Sequence, residues 1–454
     1  MKLVIKDLAI ASSQKTIVSI KHIEYELESL ALLGKSGGGK TTLIKALLGD
    51  YSDSLTYQGS IQLIDDDKVL QLGKDIRVIP QLPQNALDPH RKVLAQVKDI
   101  IKQQECSDVD AAISELLDLS QLSQNDLSKY PYQLSGGQLQ RLVYSLALLN
   151  TPKVIIADEP TSAIDSQGVR YFIKLAKAAL NRGTKLIFSS HDLTLLENLS
   201  TDVLVLENGT AHLIATAYMS KQSTGFLAQL QEAKKTWQQL TFHNSQNSSD
   251  VLLAFQDVSK IYTNKLSLFK TGQKDIFHKL NWTVKKGQVQ SIRGKNGAGK
   301  TTLIRMALGL EEVTSGEIVT NGTPSIVFQN TSTALDPAFT VEQVLREVIG
   351  ARHFEDLLVT LTAVGLTAKH LPRTVTTLSG GEQQRLAIAR SLIQQADLIF
   401  FDEPFSSLDL IHKVAIFKLL VQLQKARNLT YVFITHDDSM DDKVDSILNL
   451  DTIN

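Results

Sequence analysis

Between Gln138 and Asn150, apolar residues return at Leu139, Leu142, Val143, Leu146 and Leu149, the rhythm of a helix with one buried face. Thr151-Pro152 closes the pattern, because proline cannot continue the helical hydrogen-bond ladder. Residues 154–157, Val-Ile-Ile-Ala, are apolar without alternation, which predicts a strand covered on both faces, as in a parallel sheet. Residues 30–33 predict a second such strand, followed at once by a glycine-rich stretch and the helical run LIKALLG. Residues 225–240 predict a helix, whereas residues 241–250, TFHNSQNSSD, are polar, lack periodicity and read as a linker.

Chemistry gathers where these elements meet. Gly34-Lys35-Ser36-Gly37-Gly38-Gly39-Lys40-Thr41-Thr42 fits the phosphate-binding P-loop pattern, with a strand before it and a helix after it. Its glycines let backbone N–H groups close around phosphates, Lys40 adds a positive charge, and the Thr41 hydroxyl can ligate Mg²⁺. Leu134-Ser135-Gly136-Gly137 opens the helix of the Leu139 stripe, and the strand at 154–157 delivers Asp158 and Glu159 to its carboxyl end. Two acids at a strand tip point to a metal–phosphate site.

Every landmark returns in the second half. Gly294 to Thr302 repeats the P-loop, and Gln81, Ser135, Asp158 and His191 have counterparts, in the same order, in Gln329, Ser379, Asp402 and His436. The offset is 260 from Gly34 to Gly294 but 244 from Ser135 to Ser379, so the first half carries about 16 extra residues. They are expected before Gln81, around residues 51–75.

Composition narrows the class. The 454 residues are 43% hydrophobic with a formal charge of −1, which suits a globular chain of two or three domains and offers no global attraction for nucleic acid or an anionic membrane. The single cysteine, Cys106, excludes an internal disulfide and a cysteine metal cluster, and points to a reducing compartment. No apolar run reaches the roughly 18 residues of a membrane span, and MKLVIKDLAI lacks a signal-peptide core. Work at a membrane would need other subunits to span it.

The P-loop, the LSGGQ turn, the strand ending in Asp-Glu and the distant Ser-Ser-His-Asp together resemble the nucleotide-binding domains of ATP-binding-cassette proteins, one complete domain in each half. The resemblance implies an α/β fold of two tandem P-loop NTPase domains, each a mainly parallel sheet flanked by helices, with an antiparallel β part and a helical signature subdomain. The expected divisions are residues 1–240, a linker at 241–250, and residues 251–454. The implied cofactors are ATP and Mg²⁺. Gly34, Ser36, Gly37, Gly39, Lys40, Thr41 and Thr42, with Gly294, Asn296, Gly297, Gly299, Lys300, Thr301 and Thr302, would hold the phosphates. Thr41, Asp158 and Gln81, and in the other half Thr301, Asp402 and Gln329, would hold Mg²⁺; Gln84 is an alternative to Gln81. Glu159 and Glu403 would act as general bases, and His191 and His436 would reach the γ-phosphate. Asp165 and Asp409 occupy the position that crosses between domains, or simply cap a helix.

In this family two domains pair head to tail. One site would combine Lys40, Asp158, Glu159 and His191 with Ser379, Gly380 and Gly381; the other would combine Lys300, Asp402, Glu403 and His436 with Ser135, Gly136 and Gly137. For adenine stacking the second half offers Tyr262, with Phe269 a weaker candidate. The first half offers only Ala11, Ser12 and Ser13, because Tyr25 lies inside a strand-like stretch. Ala86-Leu87-Asp88-Pro89 and Ala334-Leu335-Asp336-Pro337 resemble a turn of the peptide and nickel importer ATPases. The resemblance thus implies an importer ATPase on the cytoplasmic face of a bacterial-type membrane, working with two transmembrane permeases and an extracytoplasmic binding protein, with no nucleic acid, on nickel, a metal chelate or small peptides. The alternatives are a ribosome-acting tandem ATPase or an exporter ATPase.

Overall fold

The computed structural model describes residues 1–13, 15–35, 37–83, 86–104, 106, 108–161, 166–221, 224–242, 248–267, 270–295, 297–329, 331–349, 354–405 and 408–452. Ser36, Gln84, Asp165, Phe269 and Asn296, together with linker residues 243–247, lie outside the described residues. The chain divides into two compact units, Met1–Lys234 and Lys235–Asn454.

In the first unit the strands are β1 (Lys2–Ala11), β2 (Thr16–Glu26), β3 (Ser29–Gly34), β4 (Thr56–Asp65), β5 (Lys68–Val69), β6 (Ile76–Ile79), β7 (Val154–Ala157), β8 (Lys185–Ser189), β9 (Asp202–Glu207) and β10 (Thr210–Ala215). The helices are α1 (Lys40–Leu47), α2 (Val93–Gln103), α3 (Val109–Ser120), α4 (Gln124–Leu127), α5 (Gly136–Leu148), α6 (Ser166–Asn181), α7 (Leu193–Leu199) and α8 (Gly225–Gln239). One sheet runs β10-β9-β3-β8-β7-β6, parallel except at β10, and an antiparallel sheet runs β2-β1-β4-β5. The predicted strands are β3 and β7, and every residue of both is buried, as burial on two faces requires. Helices α2 to α5 enclose a separate apolar core in which Val97, Leu116, Leu127 and Leu142 are buried.

The second unit repeats the plan with β11 (Val251–Ser267), β12 (Lys270–Lys285), β13 (Val289–Arg293), β14 (Ser315–Thr320), β15 (Pro324–Val327), β16 (Leu398–Asp402), β17 (Thr430–Ile434) and β18 (Ser446–Asn449). Its helices are α9 (Lys300–Ala307), α10 (Thr331–Ala334), α11 (Val341–Ile349), α12 (Phe354–Ala363), α13 (Gly380–Ile393) and α14 (Leu410–Arg427). The sheet order β15-β16-β17-β13-β18 is that of β6-β7-β8-β3-β9, so the repeat seen in the motifs is a repeat of topology. Ligands of such sheets bind beyond the carboxyl ends of the strands, and that is where the P-loop, the glutamine, the Asp-Glu pair and the histidine of each unit lie, whereas the serine turns open α5 and α13.

Two details correct the sequence reading. Of the 16 extra residues, 12 precede Gln81, whose offset to Gln329 is 248, and four follow it; in the stretch before Gln81, β4 has 10 residues against six in β14 and the β5 edge is added. The last turn of α8 and Phe242 pack with the second unit, because Trp237 and Phe242 are large apolar anchors, buried against Phe417 and, for Phe242, against Tyr431 and Phe433. The boundary therefore falls six residues before the expected Leu240. Among the described residues, no helix is long and apolar enough to cross a membrane.

Two candidate nucleotide sites

In the first unit β3 ends at Gly34, where a Cβ would lie 2.7 Å from the Leu206 carbonyl oxygen, and the loop closes with Gly38 N–H donating to the Lys35 carbonyl at 2.9 Å. Gly39, at φ 94°, precedes α1, and a Cβ there would meet Val18 at 2.8 Å. Only glycine fits such a turn. No side chain caps α1, so its first N–H groups face the loop unsatisfied by side chains, as a phosphate cradle needs. Lys40 is 5% exposed and its Nζ donates to the Gly34 carbonyl at 2.8 Å and the Lys35 carbonyl at 3.3 Å, lying 3.5 Å from Glu159 Oε1.

The acids stand at the end of β7. Ser189, the last residue of β8, donates its hydroxyl to Asp158 Oδ1 at 2.6 Å and accepts the Glu159 N–H at 2.7 Å. Gln81 Nε2 donates to Glu159 Oε2 at 3.3 Å, and His191 Nδ1 lies 3.8 Å from Glu159 Oε1. The structure thus brings Lys40, Gln81, Asp158, Glu159 and His191 together. The His191 ring, with the Lys40 ammonium behind it, holds the Glu159 carboxyl below the usual range against the opposing effect of burial.

The second unit builds the same site with different electrostatics. Lys300 Nζ donates to the Gly294 carbonyl at 2.5 Å and the Lys295 carbonyl at 3.2 Å, and lies 3.2 Å from His436 Nε2, which is 3.4 Å from Glu403 Oε1. Ile434 stands where Ser189 stands in the first unit; its carbonyl accepts the Glu403 N–H at 2.9 Å, but it has no hydroxyl to offer Asp402. Burial pushes the Asp402 carboxyl up, with Lys300 opposing, and burial pulls the Lys300 ammonium down. Gln329 is exposed just beyond β15.

Glu159 and Glu403 have φ of 43° and 46°, strained values for a residue with a side chain. Each is followed by a proline whose carbonyl is braced from the signature helix. In the first unit the Tyr144 hydroxyl donates to the Pro160 carbonyl and accepts from Gln140 Nε2 at 2.6 Å, and in the second Gln384 donates to the Pro404 carbonyl. Ser189 and these braces were missed by the sequence reading; only the doubled serine of Phe-Ser-Ser-His-Asp hinted at the first.

The serine turns are shaped by capping boxes. Ser135 Oγ accepts Gln138 N–H at 3.2 Å while Gln138 Oε1 accepts Ser135 N–H at 3.0 Å; Ser379 and Glu382 do the same. Ser135, Gly136, Gly137, Ser379 and Gly380 are exposed. Within its own unit each turn stands apart from that unit's P-loop group: no hydrogen bond or ion pair joins them among the described residues. Asp409 caps α14, accepting His412 N–H at 3.0 Å. Tyr262 donates its hydroxyl to Glu311, lies 3.4 Å from the Thr302 hydroxyl, and carries Lys260 Nζ 5.0 Å from its ring centre. Tyr25 is buried and donates to Asp202 at 2.6 Å, a structural role.

The model of the ABC transporter family matches residues 22–162 and 277–406, once in each unit. The chain belongs to the ABC transporter family. It is a tandem ABC ATPase that binds and hydrolyses ATP, the transporter's motor. It is 28% identical over 472 residues to the uncharacterized ABC transporter ATP-binding protein YejF of Escherichia coli (strain K12), covering 93% of this chain and 88% of that protein. It is also 28% identical over 486 residues to the peptidoglycan transport ATP-binding protein YejF of Agrobacterium fabrum, covering 95% and 88%. Identity is again 28% over 514 residues to the glutathione import ATP-binding protein GsiA of Escherichia coli (strain K12), covering 96% and 82%. Among solved structures, the RNase-L Inhibitor superposes with a TM-score of 0.66 over 98% of this chain and 87% of that one at 23% identity, a likeness of fold alone.

Proposed function

We propose that this ABC ATPase drives an importer of the peptide and nickel class, at the cytoplasmic face of the membrane, with small peptides as the favoured cargo. The observation that carries this reading is that relatives named for glutathione import and peptidoglycan transport match the tandem chain over at least 95% of its length. Glutathione is itself a small peptide, so nickel becomes the second choice. The partners are two membrane permeases and an extracytoplasmic binding protein. A mild-detergent pull-down of the full chain tests this: two co-purifying permeases are expected, and ribosomes in their place would overturn it.

The donor set fits Mg-ATP. Each P-loop cradle excludes side chains, each lysine is held within its loop, and each unit carries one hydroxyl (Thr41, Thr301) in the first turn of the helix after the loop and one acid (Asp158, Asp402) at a strand end. Bound Mg²⁺ would neutralise charge on the β- and γ-phosphates. Lys40 and Lys300, now satisfied by loop carbonyls, would turn to the phosphates. Glu159, ionised beside His191, would orient the attacking water with Gln81, and Glu403 with Gln329 would do so in the other site. The exposed Ser135 and Ser379 turns support a head-to-tail arrangement in which each closes on the nucleotide held by the other unit's P-loop. Ser135→Arg would then damage the Lys300 site and spare the Lys40 site.

Adenine would stack on Tyr262 in the second unit, worth about 0.5–1.5 kcal/mol, with no aromatic counterpart in the first. Weaker nucleotide binding at the Lys40 site follows, and equal affinities in a titration would argue against it.

A further inference from the structure

In the second unit, the end of α8 reaches the loop that carries His436. Trp237 is 7% exposed and packs on Phe405 and Phe417, with ring centres 5.8 and 4.8 Å apart. Its indole Nε1 donates to Ser439 Oγ at 3.2 Å, and Lys413 Nζ sits 4.0 Å from its ring centre. That same lysine pairs with Asp437, the residue after His436, and donates to Ser439 at 3.3 Å. Phe405 lies two residues beyond Glu403 and stacks on Phe433 of β17, the strand that leads into His436. The indole thus touches three things that frame the second site: the chain following Glu403, the start of α14, and the histidine loop.

Among the described residues the first unit has no such arrangement. At the equivalent positions, Phe405 is replaced by Thr161, Lys413 by Val169, Phe417 by Ile173 and Tyr431 by Leu186. Asp192 caps α7 by accepting Thr194 N–H at 2.8 Å, as Asp437 accepts Ser439 N–H at 2.9 Å, but Val169 stands where Lys413 pairs with Asp437. The aromatic and cationic cluster belongs to one site only.

We propose that Trp237 is a positioning residue for His436: by fixing Lys413 and Ser439 around Asp437, it holds the histidine loop of the second site in place. The chain segment that joins the two domains therefore sets the turnover of the second site and not of the first. This rests on the reading of His436 as the group that meets the γ-phosphate.

The chain contains two tryptophans, so Trp282→Phe leaves Trp237 as the sole indole emitter. In that full-length background, Mg-ATP is expected to shift the emission while Mg-ADP does not, with His436→Ala abolishing the ATP response and His191→Ala retaining it. A response that survives His436→Ala, or none at all, overturns the proposal. Turnover supplies an independent arm: in a Glu159→Gln background, which silences the first site, Trp237→Ala and Lys413→Met should each lower the second site's kcat by about tenfold with KM unchanged, and Trp237→Phe, which keeps the ring over Phe417, should recover most of it. Trp237→Ala should have no further effect once His436 is alanine. Full additivity of the two substitutions, or a raised KM with unchanged kcat, would count against positioning. If His436→Ala itself leaves turnover intact, the reading of the site fails instead, a result distinct from failure of the Trp237 proposal.

Discussion

Glu159 and Glu403 each occupy a left-handed backbone conformation, and each is braced through the following proline by the helix that opens with a serine turn. Strain held in this way aims a carboxylate out of the strand end without letting it relax onto the sheet. Because both sites retain lysine, strand-end acid, glutamate and histidine, Glu159→Gln and Glu403→Gln should each reduce steady-state ATP turnover by at least ~100-fold in the affected site while nucleotide binding persists. Single-turnover hydrolysis with each variant separates the two, and a substitution without effect would mark its site as non-catalytic. These residues were legible in the sequence because their chemistry is local: a lysine in a glycine loop, or an acid at the end of an apolar run, carries its context with it. Ser189 was not, because its role depends on β8 lying beside β7, an adjacency that no short pattern records. The same holds for Tyr144, which the helical stripe did not include and which holds the Pro160 carbonyl.

At the scale of elements, the helix predicted from the Leu139 stripe is α5, but Tyr144, Ser145, Ala147 and Leu148 are buried as well. It is covered nearly all round because it lies between the α2–α4 core and β6. Its counterpart α13 differs at its cap, where Glu382 replaces Gln138. Burial works against the Glu382 charge, but the Ser379 N–H and hydroxyl, His370 and Arg373 together hold its carboxyl at about 2 against an ordinary 4.5. A folded-state carboxyl lowered in this way stabilises the unit above the ordinary range and loses that contribution as pH falls from 4.5 to about 2. Glu382→Gln should therefore flatten the acid limb of thermal stability in that window, read from Tm against pH; an unchanged limb would assign the loss to other carboxyls. The joining segment was legible only in part. TFHNSQNSSD reads as polar chain, yet its one aromatic, Phe242, is buried among Phe417, Tyr431 and Phe433. Phe242→Ala should lower the stability of the second unit by about 3 kcal/mol, seen as an earlier melting of that unit with the first unchanged.

For the whole molecule, duplication is the organising fact. Two units share one strand order and one set of landmarks, and a complete motif set stands in both. Under the proposed head-to-tail pairing, Ser135 would face the nucleotide held by Lys300 and Ser379 the one held by Lys40. The single cysteine makes this testable, since Cys106→Ser removes the only native thiol. In that background, with Glu159→Gln and Glu403→Gln to hold ATP, a short bismaleimide should join Ser135→Cys to Asn296→Cys within one chain, giving an ATP-dependent shift on a denaturing gel. Ser135→Cys and Ser36→Cys, which belong to the same unit, should stay unlinked. The opposite pattern would assign each turn to its own P-loop, and cross-linking into a species of twice the mass would place the pairing between two copies of the chain. An ATP-dependent link within one chain would also explain why the two halves are fused. Joined by so short a segment, each serine turn would then meet its partner site at a high effective concentration, without waiting for a second protein to arrive.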